Sequence, residues 1–166
     1  MNMNLDQKYL DEALPQLQDY LLSKELFWAL NASLPRLTIG GLLLALTRSP
    51  NESYRLRIET FRIKWHSAWE EKCAREMRNR LTALSSFLAE HHASEHRVET
   101  YPQEIRWRAM LELLRDEIPN SPEAQTLAEM DRKLKTFFVS GSFVWENDLR
   151  FFFPQEKFWF LYGKIK

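Results

Sequence analysis

The sequence predicts an all-α protein: a five- to six-helix bundle around a long central helix, with an aromatic-rich C-terminal segment that forms a short helix or a small hairpin. Three observations carry this prediction. Only four glycines occur in 166 residues, and sheet-rich folds need more turn residues than that. Apolar residues recur at three- and four-residue steps through most of the chain. Between Pro50 and Pro102 there is neither Gly nor Pro, the two residues that most often punctuate a helix.

The elements follow in order. Residues 5–14 (LDQKYLDEAL) and 16–30 (QLQDYLLSKELFWAL) have helical spacing, with Leu14, Leu17, Leu21 and Leu22 on one side. Pro15, which lacks an amide donor, bends the chain or starts the second helix. Pro35 sits in a connector. Thr38 is an N-cap for a buried helix carrying IGGLLLAL, residues 39–46. In SPNE, residues 49–52, Ser49 and Glu52 read as a capping box with Pro50 at the first helical position.

From there Tyr54, Ile58, Phe61, Trp65, Trp69, Cys73, Met77, Leu81, Leu84 and Leu88 form one stripe. A single helix over 51–91 is roughly 60 Å long, whereas a compact globule of this size is only about 40 Å across. Either the helix breaks, with Asn79 or Ser85–Ser86 as weak points, or the protein is elongated and exposes part of the stripe unless a second subunit covers it; the continuous helix, in a dimer, is the expectation. Pro102 opens the next helix, PQEIRWRAMLELLRDEI, and Ser121–Pro122 open the last, with Leu127, Met130, Leu134 and Phe137 on one face.

Eleven of the 22 aromatic residues fall within 137–162, so this segment differs in kind from the rest. FFVSGSFVW reads as a small hairpin around Gly141. FFFPQEKFWFLYG reads as a hairpin or as a short helix from Pro154 to Gly163. The expected role of the segment is to pack across the bundle, with Trp and Tyr polar atoms at the edge and partner binding as the second use. The whole chain, 1–166, reads as a single helical domain with 137–166 packed on it.

Composition narrows the function classes. The 23 basic and 23 acidic residues cancel, so no global field draws the protein to nucleic acid or an anionic membrane. Cys73 is the only cysteine, which excludes an internal disulfide and a Cys-rich zinc site and points to a cytoplasmic setting. The polar, acidic start does not read as a secretory signal. The longest clean apolar run has eight residues, short of the roughly 20 that a membrane helix needs.

Few residues carry chemistry. LAEHHASEH, 88–96, holds His91, His92 and His96. His92 and His96 are four apart, as are His91 and Glu95, a step that can hold a transition metal. His66 lies about 39 Å away along a straight helix, and the residues three before each histidine (Ile63, Leu88, Ala89, Ala93) exclude the Glu-x-x-His pattern of di-iron bundles. The cheaper reading is a polar helix end. His66–Glu70 can be an acid–base pair, but more cheaply a helix-shoulder pair. Cys73 falls mid-helix on the apolar stripe, a core position. Gly40–Gly41 offer amides at a helix start that can bind an anion, although close packing explains them too, and no nucleotide-loop motif is present.

Residues 48–80 carry nine Lys/Arg against five Asp/Glu. Arg55 and Arg62 share one face, and Arg57 and Lys64 another. The four-residue pairs Glu71–Arg75 and Glu76–Arg80 instead support a solvated helix. These observations lead to a non-enzymatic interaction or scaffold protein, a homodimer with a possible protein partner, needing no cofactor and no metal, with no catalytic residue assigned. The alternatives are a metal-dependent enzyme on the His91–His96 cluster and a nucleic-acid-binding protein using the basic helix 55–80.

Overall fold

The computed structural model describes residues 3–91 and 97–166, with side chains over 5–90 and 101–166. It is mostly helical. The described helices are α1 (Met3–Ala13), α2 (Leu17–Leu22), α3 (Ile39–Arg48), α4 (Glu52–Lys64), α5 (His66–His91), α6 (Arg97–Glu117) and α7 (Pro122–Phe137). Two strands, β1 (Phe138–Phe143) and β2 (Tyr162–Ile165), follow, with tight turns at Asn147–Phe152 and Trp159–Leu161. The chain divides into two compact units, Met1–Glu76 and Met77–Lys166.

In the first unit α1 packs on α3. Tyr9, Leu10 and Ala13 meet an apolar helix whose Ile39, Leu42, Leu44 and Ala45 are all buried. Thr38 caps α3 as its sequence predicts, accepting from the Gly41 amide at 2.9 Å. A side chain at Gly41 would place its Cβ 2.8 Å from Tyr9 Oη, so the close packing of α1 on α3 favours glycine there.

Four boundaries differ from the sequence reading: the end of α2, the cap of α4, the break at Trp65 and the start of α6. Helix 16–30 stops at Leu22, because the Ser23 hydroxyl bonds the Tyr20 carbonyl at 2.8 Å and accepts from the Glu25 amide at 3.1 Å. Local side-chain bonds thus replace the next helical turn. The chain then doubles back through a backbone pair between Trp28 and Leu37. The cap of α4 is Asn51 and not Ser49: its side chain accepts from the Ser53 and Tyr54 amides at 2.9 and 3.3 Å. Asn is as good an N-cap as Ser, and starting at Asn51 leaves Pro50 outside the helix.

The stretch 51–91 breaks at Trp65 (φ −116°, ψ 42°). Asn79, Ser85 and Ser86 lie on the exposed side of an unbroken α5, where polar residues are no strain. At the break two indoles four residues apart follow one stripe. The turn between them lets Trp69 sink to 1% exposure while Trp65 stays half-exposed. The long central helix is therefore α5, and its Cys73, Met77, Leu81, Leu84 and Leu88 are buried.

In the second unit α6 begins at Arg97, with Pro102 inside it. The helix thus opens five residues before the proline that the sequence reading takes as its start, and Pro102, lacking an amide, forgoes one ladder bond there. The Pro102 carbonyl accepts from Trp145 Nε1 at 2.8 Å. Ser121 caps α7 through the Ala124 amide, 3.1 Å away. The aromatic segment carries the small hairpin, but neither FFVSGSFVW nor FFFPQEKFWFLYG forms it alone. β1 pairs antiparallel with β2, Phe138 opposite Ile165 and Ser140 opposite Gly163. Gly163 has φ +157°, and a Cβ there would lie 2.2 Å from the Val139 carbonyl, a position only glycine can hold.

Between the strands, Phe153, Phe158 and Phe160 are buried; Phe153 and Phe158 meet edge to face at 5.0 Å, and Phe158 and Phe160 meet tilted at 6.0 Å. The polar tips turn inward as well as to the edge. Tyr101 Oη donates to the Phe160 carbonyl and Tyr162 Oη to that of Phe153, each at 2.6 Å. Burial pushes the Tyr101 hydroxyl well above the usual phenol range.

Candidate functional site

The residues singled out in the sequence separate. The His91–His96 cluster lies outside the described residues, except that His91 ends α5. Among the described residues no group of three or more His, Cys, Asp or Glu is placed to hold a metal ion. His66 Nε2 and Glu70 Oε1 meet at 3.0 Å, but their side chains are 66% and 47% exposed. Such a solvated pair is a helix-surface contact. Cys73 is fully buried in the core.

At the start of α3 the possible anion site is filled from within. The Gly40 amide donates to Glu76 Oε1 at 2.9 Å, and Glu76 is fully buried. A carboxylate of α5 thus occupies the position at the helix N-terminus that an outside anion would take. The basic stretch is also largely engaged. Arg55 pairs with Glu52, Arg62 with Glu59, and Arg78 with Glu123 at 2.6 Å. Lys72 and Arg75 donate to the carbonyls of Glu25 and Lys24. Lys72 also lies 4.5 Å from the Tyr20 ring centre, and burial lowers its ammonium pKa, with Arg75 acting the same way.

The second unit holds a charged cleft of about 340 Å³ lined by Glu112, Arg115, Asp131, Lys135, Lys157 and Trp159, among others. Beside it Arg108 of α6 is fully buried. Its Nε and Nη2 reach the two Asp131 oxygens at 2.8 and 2.7 Å, and Nη2 reaches Glu112 at 3.0 Å. Arg115 holds the same Glu112 at 2.5 Å. The guanidinium carbon sits 4.5 Å from the Phe160 ring centre. This is the fork geometry that suits arginine to a buried carboxylate. Its charges are mutually engaged, and Lys157 pairs with Asp116, so the cleft is a cross-brace more than an open binding site.

The feature that stands apart is the outward side of α4. Only Ile58 of this helix is buried, while Leu56 is 53% and Ile63 68% exposed. At 100° per residue, Leu56, Thr60 and Ile63 share one edge, and all three are exposed. The inward side is held by Ile58 and by Tyr54, whose Oη donates to Asp11 of α1 at 2.7 Å. That bond raises the Tyr54 hydroxyl pKa. On one flank of the apolar edge stand Arg57 and Lys64, and on the other Glu52 and Glu59.

Sequence reasoning passed over this edge because it followed the inward stripe of Tyr54, Ile58 and Phe61. The signal was present: two large aliphatic residues seven apart, off the stripe, on a helix with an identified inward side. Arg108 and Glu112 were visible as a four-residue pair, whereas Asp131 enters only through the packing of α6 on α7. Among the described residues no helix is long and apolar enough to cross a membrane. Comparison with protein families, with curated proteins and with solved structures gave no match.

Proposed function

We propose that the protein is a non-enzymatic interaction or scaffold protein that acts as a homodimer. The observation that carries this reading is the α4 edge, where Leu56 and Ile63 stay 53% and 68% exposed on one line while the inner side of the helix is already anchored. Large aliphatic side chains aligned on a helix are what a partner helix covers. Cys73, buried and without a disulfide, supports a cytoplasmic setting.

The expected association is weak. Covering an aliphatic side chain completely contributes about 1.5–3 kcal/mol, and these two are already partly covered. Four such side chains across a twofold interface give at most roughly 6–12 kcal/mol, against an association cost of about 4–15 kcal/mol. Dimerisation is therefore expected at micromolar or higher concentration. Sedimentation velocity over a wide concentration series tests it: the weight-average sedimentation coefficient should rise with concentration, and a monomer throughout would overturn the reading.

A further inference from the structure

We infer that the partner of α4 is α4 of a second copy, packed parallel to it about a twofold axis; this inference rests on the homodimer reading and names its contact surface. The argument comes from the spacing of charges beside the apolar edge. Leu56 and Ile63 are seven apart, with Ser53 and Thr60 completing the line at four- and three-residue steps. In a heptad these four residues take the two positions that face a partner helix. The buried Ile58 then falls on the far side, toward the protein's own core.

The remaining positions next to the seam are Glu52 and Glu59 on one flank and Arg57 and Lys64 on the other. In a parallel pair, each flank meets the opposite flank of the partner helix, with a stagger of five residues. Glu52 is five before Arg57, and Glu59 is five before Lys64. A parallel dimer therefore forms four complementary contacts across the seam. A twofold antiparallel pair brings each flank against itself, so that Arg57 approaches Lys64 and Glu52 approaches Glu59. The same charges that support one orientation oppose the other.

The intrahelical contacts are compatible with this arrangement. Arg55 takes both oxygens of Glu52 and Arg62 holds Glu59, each three residues away; a carboxylate oxygen has two lone pairs and can still accept from a second cation. Arg57 and Lys64 are exposed. Ser53 and Thr60 are small and polar at seam positions, which fits a weak, reversible pair.

The test uses the full chain in sedimentation velocity, with helical content followed by circular dichroism. Leu56→Ser/Ile63→Ser is expected to weaken dimerisation about tenfold or more without changing helicity, since both side chains are exposed. Arg57→Glu/Lys64→Glu is expected to weaken it similarly. Adding Glu52→Lys/Glu59→Lys to that variant restores complementarity and should restore the dimer, which also shows that the substituted helix folds. Ser53→Cys should give a disulfide-linked dimer on mild oxidation, because only the parallel register sets residue 53 against its own copy.

A monomer at every concentration overturns the homodimer reading and this inference together. A dimer that survives Leu56→Ser/Ile63→Ser leaves the homodimer reading standing and overturns the α4 seam. A dimer lost in that variant but without the Ser53→Cys cross-link or the charge-swap rescue overturns the parallel orientation.

Discussion

Each unit buries an arginine against a carboxylate, and the two pairs are built differently. In the first unit Arg48 Nη2 makes one contact with Asp6 Oδ1, at 2.7 Å. Asp6 Oδ2, Arg48 Nε and Arg48 Nη1 are buried without a hydrogen-bond partner. In the second, Arg108 meets Asp131 through two bonds, adds Glu112, and lies over Phe160, leaving only Nη1 unpartnered. A buried ion pair stabilises only when its geometry and the remaining hydrogen bonds offset desolvation. The same residue types, equally hidden, are thus a brace in one place and close to an energetic stalemate in the other.

The largest effect is expected in the second unit. Asp131→Asn cannot reproduce the two-bond fork and leaves the buried Arg108 with only Glu112, which Arg115 shares, so urea titration should show a loss of about 3 kcal/mol. A loss below ~1 kcal/mol would contradict the brace. Next, Asp6→Asn in the first unit should change stability by no more than about 1 kcal/mol at neutral pH, because burial costs the ionised Asp6 carboxyl more than its single contact with Arg48 returns. Replacing that pair together, Asp6→Leu/Arg48→Met, is expected to be neutral or to stabilise by about 1–2 kcal/mol, read from the thermal midpoint. Destabilisation of several degrees would show that the single contact matters more than its geometry implies.

The finest distinction is in pH. Burial raises the Asp6 carboxyl above its ordinary value of 3.8, more than the Arg48 charge pulls it down. The folded protein therefore holds the Asp6 proton more tightly than the unfolded chain does. Its contribution to stability is full below about pH 3.8 and is lost as pH rises through the raised value. Asp6→Asn keeps the uncharged form, so the variant should gain on the parent as pH rises from 3 toward 7. A constant difference in urea midpoint across that range would contradict it.

Much of the fold was legible because it follows from local chemistry. Thr38 and Ser121 cap the helices that the sequence assigns to them, and the stripe from Trp69 to Leu88 is buried as its spacing predicts. What escaped was set by non-local contacts or by competition among local signals. β1 and β2 pair across an 18-residue interval (144–161), which no hairpin pattern spans. The break at Trp65 has no Gly or Pro to announce it. Ser23 ended α2 where periodicity alone continued it. Of the α4 edge, Leu56, Ile63 and both charged flanks were in plain view; their outward direction emerged only once Ile58 was seen to face the core.

The carboxylate at the start of α3 has a kinetic consequence. Glu76 comes from 36 positions beyond Gly40, so the first turn of α3 is completed by a contact that must wait for a long loop to close. Helix α3 can wind early, but its leading amide gains full protection only when α5 has arrived. Hydrogen exchange at Gly40 should accordingly report the cooperative opening of the whole first unit, and not the fraying of a helix end.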